Sequence, residues 1–181
     1  MRILLTNDDG IYSPGLWSVA QTLKRLGEVF IVAPDRDQSG IGTAMTLKSV
    51  VRVHEFPSHL EGVDALAVEG TPTDCVILAT ETLFDEPFDL VVSGINRGAN
   101  LGLDVISSGT VGAAINGYLR GINSIAVSVT SLIDVRFEAA SHVASLLASF
   151  VLNERLGATI LLNVNVPNLM SHKIEGVEVA S

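Results

Sequence analysis

The stretch ILLTNDDGIYSPGLWSVAQTLKRLGEVFIV, Ile3 to Val32, decides the fold class. It opens on a short apolar run, Ile3-Leu4-Leu5, which reads as a buried strand. The polar loop Asn7-Asp8-Asp9-Gly10 follows, and Ser13-Pro14 then supplies the capping residue and early proline of a helix start. Leu16, Val19, Leu23 and Leu26 recur at helical spacing, Gly27 ends the helix, and Val29-Phe30-Ile31-Val32 is a second strand. Strand, helix and strand in this order are a parallel βαβ unit.

The same alternation continues along the chain. A polar, glycine-bearing loop from Pro34 to about Thr46 is long for a mere connection and is therefore a candidate for function. Val50 to Phe56 alternates Val51 and Val53 with Arg52 and His54, the pattern of a half-exposed edge strand. Ala65 to Val68 is another strand, and Thr71-Pro72-Thr73-Asp74 opens a helix expected to run to about Phe84. Leu90-Val91-Val92 is the clearest central strand. A loop rich in glycine and asparagine is expected from Ser93 to Gly109, then a helix from Thr110 to Leu119. A strand at Ile125 to Val129, a helix from about Arg136 to Arg155 and a strand at Ile160 to Val164 complete the pattern, and His172 to Ser181 resembles the start of a further strand. With 181 residues, 48% of them hydrophobic, and no repeat or linker, the expectation is one domain over residues 1–181. Its class is α/β, a Rossmann-like three-layer sandwich around a mostly parallel central sheet.

Charge and cysteine content narrow the partners. Twenty acidic against 11 basic side chains give a formal net charge of -9, and no basic run could track a phosphate backbone, so a nucleic acid polymer is not expected as a partner. A small phosphorylated ligand stays open, because an acidic protein can hold a divalent cation that attracts it. Cys75 is the single cysteine, which excludes an internal disulfide and a CxxC metal pair and fits a reducing cytoplasm. The apolar run at the N-terminus is too short for a secretory signal. The longest apolar helix, about Phe137 to Leu152, carries Glu138 and His142 and falls short of the roughly 20 residues that span a bilayer. A soluble cytoplasmic protein with no membrane partner is expected.

In an open parallel sheet, ligands sit beyond the carboxyl ends of the strands, where the strand order reverses. Three loops qualify. Asp8 and Asp9 put two carboxylates side by side after a buried strand, and a hard cation such as Mg²⁺ or Mn²⁺ would offset their repulsion through oxygen ligands; an ordinary polar turn has the same composition. Ser39-Gly40 lies in the long second loop, and a surface loop explains it equally. Asn96, in SGINRGAN (Ser93 to Asn100), follows the central strand, where small residues let backbone approach a ligand; a structural turn would also account for it. In Ser108-Gly109-Thr110-Val111-Gly112, hydroxyls and a glycine precede a small-residue helix whose free N–H groups would face an anion. The alternative there is a helix start capped by Ser108 or Thr110. Gly40-Ile41-Gly42 lacks the third glycine of a dinucleotide fingerprint, and neither a P-loop nor a GxSxG elbow occurs. His54, His59, His142 and His172 have no paired ligand spacing, and Cys75 reads as a small core residue.

Taken together, TNDDG (Thr6 to Gly10), APDRDQSG (Ala33 to Gly40), GTPTDCV (Gly70 to Val76), SGINRGAN, SGTVGAA (Ser108 to Ala114) and NVNVP (Asn163 to Pro167) resemble the SurE family of metal-dependent nucleotidases in order and spacing. The resemblance spans nearly the whole chain. It implies hydrolysis of nucleoside 5'- and 3'-monophosphates, with one divalent ion per subunit: Mg²⁺ or Mn²⁺, with Co²⁺ as a further option. The implied metal ligands are Asp8, Asp9, Ser39 and Asn96; the implied phosphate contacts are Asn96, Ser108, Gly109 and Thr110. Ser107 and Asn116 depart from the family's usual aromatic or histidine and glutamate. Family members continue beyond this length with a segment that packs on neighbouring subunits, so residues 1–181 are expected to lack the C-terminal oligomerisation segment of an otherwise homodimeric or homotetrameric protein.

The expected chemistry is attack on phosphorus by an activated water, with Asp8 or Asp9 taking its proton. Direct attack by Asp8, giving an aspartyl-phosphate, is the alternative. Arg97 is the one basic residue beside the cradle, so a metal must supply most of the charge neutralisation. A non-catalytic nucleotide- or metal-binding module is the rival class, and a nicotinamide-dependent oxidoreductase is disfavoured by the missing glycine fingerprint.

Overall fold

A computed structural model of the chain describes residues 1–154 and 157–180. Seven strands form one sheet: β1 (Arg2–Thr6), β2 (Glu28–Pro34), β3 (Val53–Glu55), β4 (Asp64–Val68), β5 (Leu90–Arg97), β6 (Asn123–Val129) and β7 (Leu161–Val166), in the spatial order 3-4-2-1-5-6-7. All neighbours are parallel except β3, which runs antiparallel to β4 on the edge. From β1 the chain works outward to one side through β2 and β4, then returns to place β5 on the other side of β1. The order therefore reverses between β1 and β5, and the crevice beyond their carboxyl ends is where this class of sheet binds ligands.

The apolar runs at β1 and β5 lack polar alternation because both faces of the sheet are covered. Side chains of successive residues point to opposite faces. Ile3, Leu5, Leu90 and Val92 join the larger core with α1 (Pro14–Leu23) and α5 (Glu138–Asn153), while Leu4 and Val91 join a second core with Cys75 and Val76 of α2 (Pro72–Leu78) and Ala113 of α4 (Gly109–Leu119). The result is three layers. Ala140, Ala144 and Ala148 of α5 are fully buried, and their small side chains let that helix lie close to the sheet. A short α3 (Asp104–Ser107) precedes α4. Among the described residues, no helix is long and apolar enough to cross a membrane.

Several boundaries differ from those read in the sequence, each for a packing reason. β3 keeps only Val53–Glu55 of the expected Val50 to Phe56, pairing with Val68, Ala67 and Leu66. The helix from Thr71 is α-helical only to Leu78 and then widens into a π-turn at Ala79–Leu83; there Thr80 Oγ1 donates back to the carbonyls of Val76 and Ile77 at 2.8 and 3.3 Å, the kind of side-chain bond that bends a helix end. Ser93 to Arg97, expected as loop, continues β5, with an irregularity between Gly94 and Asn96 against β6. His172 to Ala180 holds a 3-10 turn at Ser171–Lys173 and no strand, and Ser181 lies outside the described residues. α5 ends at Asn153; the expected end at Arg155 also lies outside them.

The start of α2 does two jobs. Thr71 and Asp74 form a capping box, Asp74 N–H donating to Thr71 Oγ1 at 3.0 Å and Thr71 N–H to Asp74 Oδ2 at 2.9 Å. Asp74 also accepts from the Thr46 N–H at 2.8 Å and the Thr46 hydroxyl at 2.6 Å, while the Thr71 hydroxyl donates to the Ala44 carbonyl at 2.8 Å. The far end of the long second loop is thus pinned to a helix. Because Asp74 is buried and replacing it leaves three donors without their acceptor, Asp74→Ala should destabilise the fold by about 2–4 kcal/mol. Urea unfolding with an unchanged slope would measure it, and amide exchange at Thr46 should rise in the same variant.

Candidate active site

A cavity of about 650 Å³ opens at the predicted switch point. Asp8 from the loop after β1, Ser39 from the loop after β2, Asn96 from the end of β5 and Ser108 at the start of α4 all line it. Asp9, Gly109 and Thr110, also expected at the site, do not line the cavity; Gly109 and Thr110 pack on Asp8, and Asp9 lies beside Arg97. A Cβ on Gly109 would lie 2.8 Å from the Asp8 Cβ, so glycine is what lets the amino end of α4 close onto that carboxylate. Thr110 is fully buried, and its hydroxyl donates to Asp8 Oδ1 at 2.5 Å. Ser108 is the N-cap of α4, accepting the Val111 N–H at 3.1 Å, and still faces the cavity.

The loops are tied to one another by backbone bonds. Gln38 N–H donates to the Asp8 carbonyl at 2.8 Å, and Gly42 N–H to the Ser107 carbonyl at 2.8 Å. Behind Asn96 lies an amide cluster that the sequence reading left as a bare motif. Asn100 donates its N–H to Asn165 Oδ1 at 2.8 Å and its side-chain amide to Ser128 Oγ at 2.9 Å, and its carbonyl accepts Asn163 Nδ2 at 2.8 Å. Asn163 and Asn165 therefore clamp the loop after β5 to β6 and β7; NVNVP is structural support.

Electrostatics single out the same spot. Burial pushes the Asp8 carboxyl above its ordinary range, against the opposing hydrogen bonds from Thr110. Burial, reinforced by the neighbouring Asp8 charge, raises Asp9 to about 6. Arg97 Nε lies 3.6 Å from Asp9 Oδ1 with its own side chain half exposed, too open to offset both effects. Asp9 Oδ2 and Asn7 Oδ1 are sealed from solvent with no hydrogen-bond partner among the described residues. Asp37, which the sequence reading passed over, is held below the usual carboxylate range by hydrogen bonds from the Ser39 hydroxyl and N–H, the latter at 2.7 Å. Its signal was present in the Asp-x-Ser spacing, which suits a carboxylate accepting from the backbone two residues on.

The donor set fits a hard divalent cation. Among the described residues, no group of three or more His, Cys, Asp or Glu is placed to hold a metal, so the candidate set has two carboxylates plus neutral oxygens. An orphaned Asp9 oxygen calls for a proton or a cation. Asn96 commits its Nδ2 to the Gly98 carbonyl at 2.9 Å, leaving Oδ1 as the free atom. The Ser39 hydroxyl, in the lining of the same cavity, carries oxygen lone pairs. Oxygen-only ligation of this kind suits Mg²⁺ or Mn²⁺. Cys75 is fully buried, and burial pushes its thiol well up, so it behaves as core.

A family model described as "Survival protein SurE" matches residues 3–181. A relative from Dehalococcoides mccartyi named 5'-nucleotidase SurE is 49% identical over 181 residues, covering 99% of this chain and 68% of its own length. One of the same name from Marinobacter nauticus is 48% identical over 179 residues, with the same coverage. Among solved structures, the SurE protein from Aquifex aeolicus superposes with a TM-score of 0.88 at 40% identity, over 98% of this chain and 71% of that one.

The raised carboxyls make a pH prediction for the metal-free protein. Between the ordinary aspartate value of 3.8 and about 6, the folded protein holds the Asp9 proton while the unfolded chain has lost it. Stability should therefore fall as pH rises through that window. Melting temperatures recorded in chelator from about pH 4.5 to 7 should show this decline, and Asp9→Asn should flatten it.

Proposed function

The chain belongs to the SurE family, and on that footing we propose that it is a divalent-metal-dependent phosphomonoesterase hydrolysing nucleoside 5'- and 3'-monophosphates to nucleoside and phosphate. The observation that carries this is the convergence of Asp8, Ser39, Asn96 and Ser108, from four separate segments, on one cavity beside the amino end of α4. Asp8, Asp9, Ser39 and Asn96 would hold one Mg²⁺ or Mn²⁺, with Co²⁺ as a further candidate. When bound, that ion supplies Lewis-acid polarisation of the phosphoryl group and lowers the pKa of an attacking water.

The chain's own residues do the rest. Asn96, Ser108 and the N–H groups at Gly109 and Thr110 face the phosphate and stabilise charge gathering on its equatorial oxygens. The Thr110 hydroxyl holds Asp8 in place. The Asp8–Asp9 pair, raised toward neutrality by burial, accepts the proton of the attacking water. As the water oxygen bonds to phosphorus, the ester P–O bond breaks and the nucleoside oxygen takes the proton that the Asp8–Asp9 pair accepted from the water. Arg97, the only cation lining the cavity among the described residues, adds one positive charge. A purely binding module is the less favoured reading, since the relatives are named as 5'-nucleotidases. We place the activity in a single phosphatase domain over residues 1–181, in a cytoplasmic protein with no nucleic acid or membrane partner and a homodimeric or homotetrameric state.

Release of inorganic phosphate from AMP or GMP with Mg²⁺, Mn²⁺ or Co²⁺, abolished by chelation, is the expected result; bound nucleotide without turnover would leave only the binding module. Asp9→Asn should lower turnover by about 10²-fold or more and weaken metal binding together, with far-UV circular dichroism unchanged. Full activity in that variant would remove Asp9 from the mechanism.

A further inference from the structure

Beyond its polar floor, the cavity has an aliphatic wall that the hydrolytic step does not use. Leu132 and Ile133, in the loop after β6, line the same cavity as Asp8 and Asn96 yet are 75% and 77% exposed. Large aliphatic side chains left in water at the rim of a cavity are a source of binding energy for whatever covers them. Leu132 is not on distant surface. Gly98 has a φ of +101°, and a Cβ there would lie 3.0 Å from Leu132 Cδ2. Leu132 thus rests on the backbone of the loop whose Gly98 carbonyl holds the Asn96 amide.

The side chains of Ser131 and Asn100 beside this wall are already committed. Ser131 Oγ donates to the Ile133 carbonyl at 2.8 Å and accepts the Ile133 N–H at 3.3 Å. Asn100 spends its side-chain amide on Ser128 and its carbonyl on Asn163. Among the described residues, no aromatic ring lines the cavity. The two aliphatic side chains can make apolar contact with a flat ring but cannot themselves read its edge, because discrimination requires donors and acceptors set against it. The volume of about 650 Å³ is in the range that takes a small ligand.

We propose that Leu132 and Ile133 form a base-tolerant platform for the nucleobase, with the phosphate at the Asp8 and Asn96 end. This rests on the phosphomonoesterase reading of the site. Purines and pyrimidines lie on the same aliphatic surface, and that contact gives nucleoside monophosphates their advantage over a monoester lacking a base. The exposed Asp104 carboxylate and Thr130 hydroxyl also line the cavity and are the groups that would impose a preference among bases.

The experiment measures kcat/KM and equilibrium dissociation constants, with Mn²⁺ present, for AMP, CMP, UMP and ribose 5-phosphate, in the unaltered protein and in Leu132→Ser/Ile133→Ser. The three nucleotides should lie within about tenfold of one another before substitution. In the double variant, KM and Kd should rise about tenfold for all three, and the kcat/KM advantage of AMP over ribose 5-phosphate should fall by a similar factor. Ile133→Ala alone should move the ratio the same way by less, which guards against a fold defect in the double variant. An unchanged advantage, or AMP and CMP favoured more than about tenfold over UMP, would overturn the platform. If AMP binds but neither AMP nor ribose 5-phosphate yields phosphate, the hydrolase reading fails, while the dissociation constants still judge the platform.

Discussion

Two carboxylates that follow one another in the chain, both raised by burial and one with an oxygen sealed from any partner, are the constraint around which this molecule is arranged. Both sit in the bend that follows β1, at the switch point of the sheet. The Asp8 charge adds to burial in raising Asp9. Something has to offset it. Thr110 engages one oxygen of Asp8, and Arg97 approaches Asp9 from solvent, but neither reaches the buried Asp9 Oδ2.

The rest of the carboxyl edge holds neutral oxygen donors around that charge. The Gln38 bond to the Asp8 carbonyl ties the second loop to the first, and the Gly42 bond to Ser107 ties it to the lead-in of α4. Thr46 and Ala44 fasten the other end of the second loop to the capping box of α2. The Asn100 cluster does the same for the loop after β5. Loops carry the candidate ligands, yet each is anchored to a strand or a helix by at least one buried polar contact, so the side chains are positioned before any ligand arrives.

The fold was legible because the buried parallel strands are short apolar runs and the helices between them have capping residues at their starts. Asp8, Ser39, Asn96 and Ser108 were legible as candidates for a related reason: the rule that ligands sit past strand ends directs attention to the few polar residues there. What escaped the reading were properties fixed by partners far away in the chain. Ser93 to Arg97 has loop composition, but pairing with β6 and burial beneath neighbouring segments carry the strand through it. The roles of Asn163 and Asn165 depend on an amide more than sixty positions away, and no local pattern encodes that. Asp37 differs, since its contact is with Ser39 and its spacing was visible. The change from α- to π-helical turns past Leu78 is more local, since there the Thr80 hydroxyl competes for the helix carbonyls.

The acidic balance of the whole chain sharpens the argument about chemistry. With a net charge of -9, a phosphate dianion meets a repulsive field before it reaches the cavity, and Arg97 alone cannot reverse it. A site meant only to hold an anion would be expected to gather lysines or arginines around a helix N-terminus. Here the opposite holds: the floor beneath α4 is built from carboxylate, amide and hydroxyl oxygens, which attract a cation and repel phosphate until that cation is in place. Such charges would favour a cation in place before phosphate, and carboxylates close to a phosphate would weaken its ground-state binding, which favours the hydrolase reading over a passive nucleotide binder.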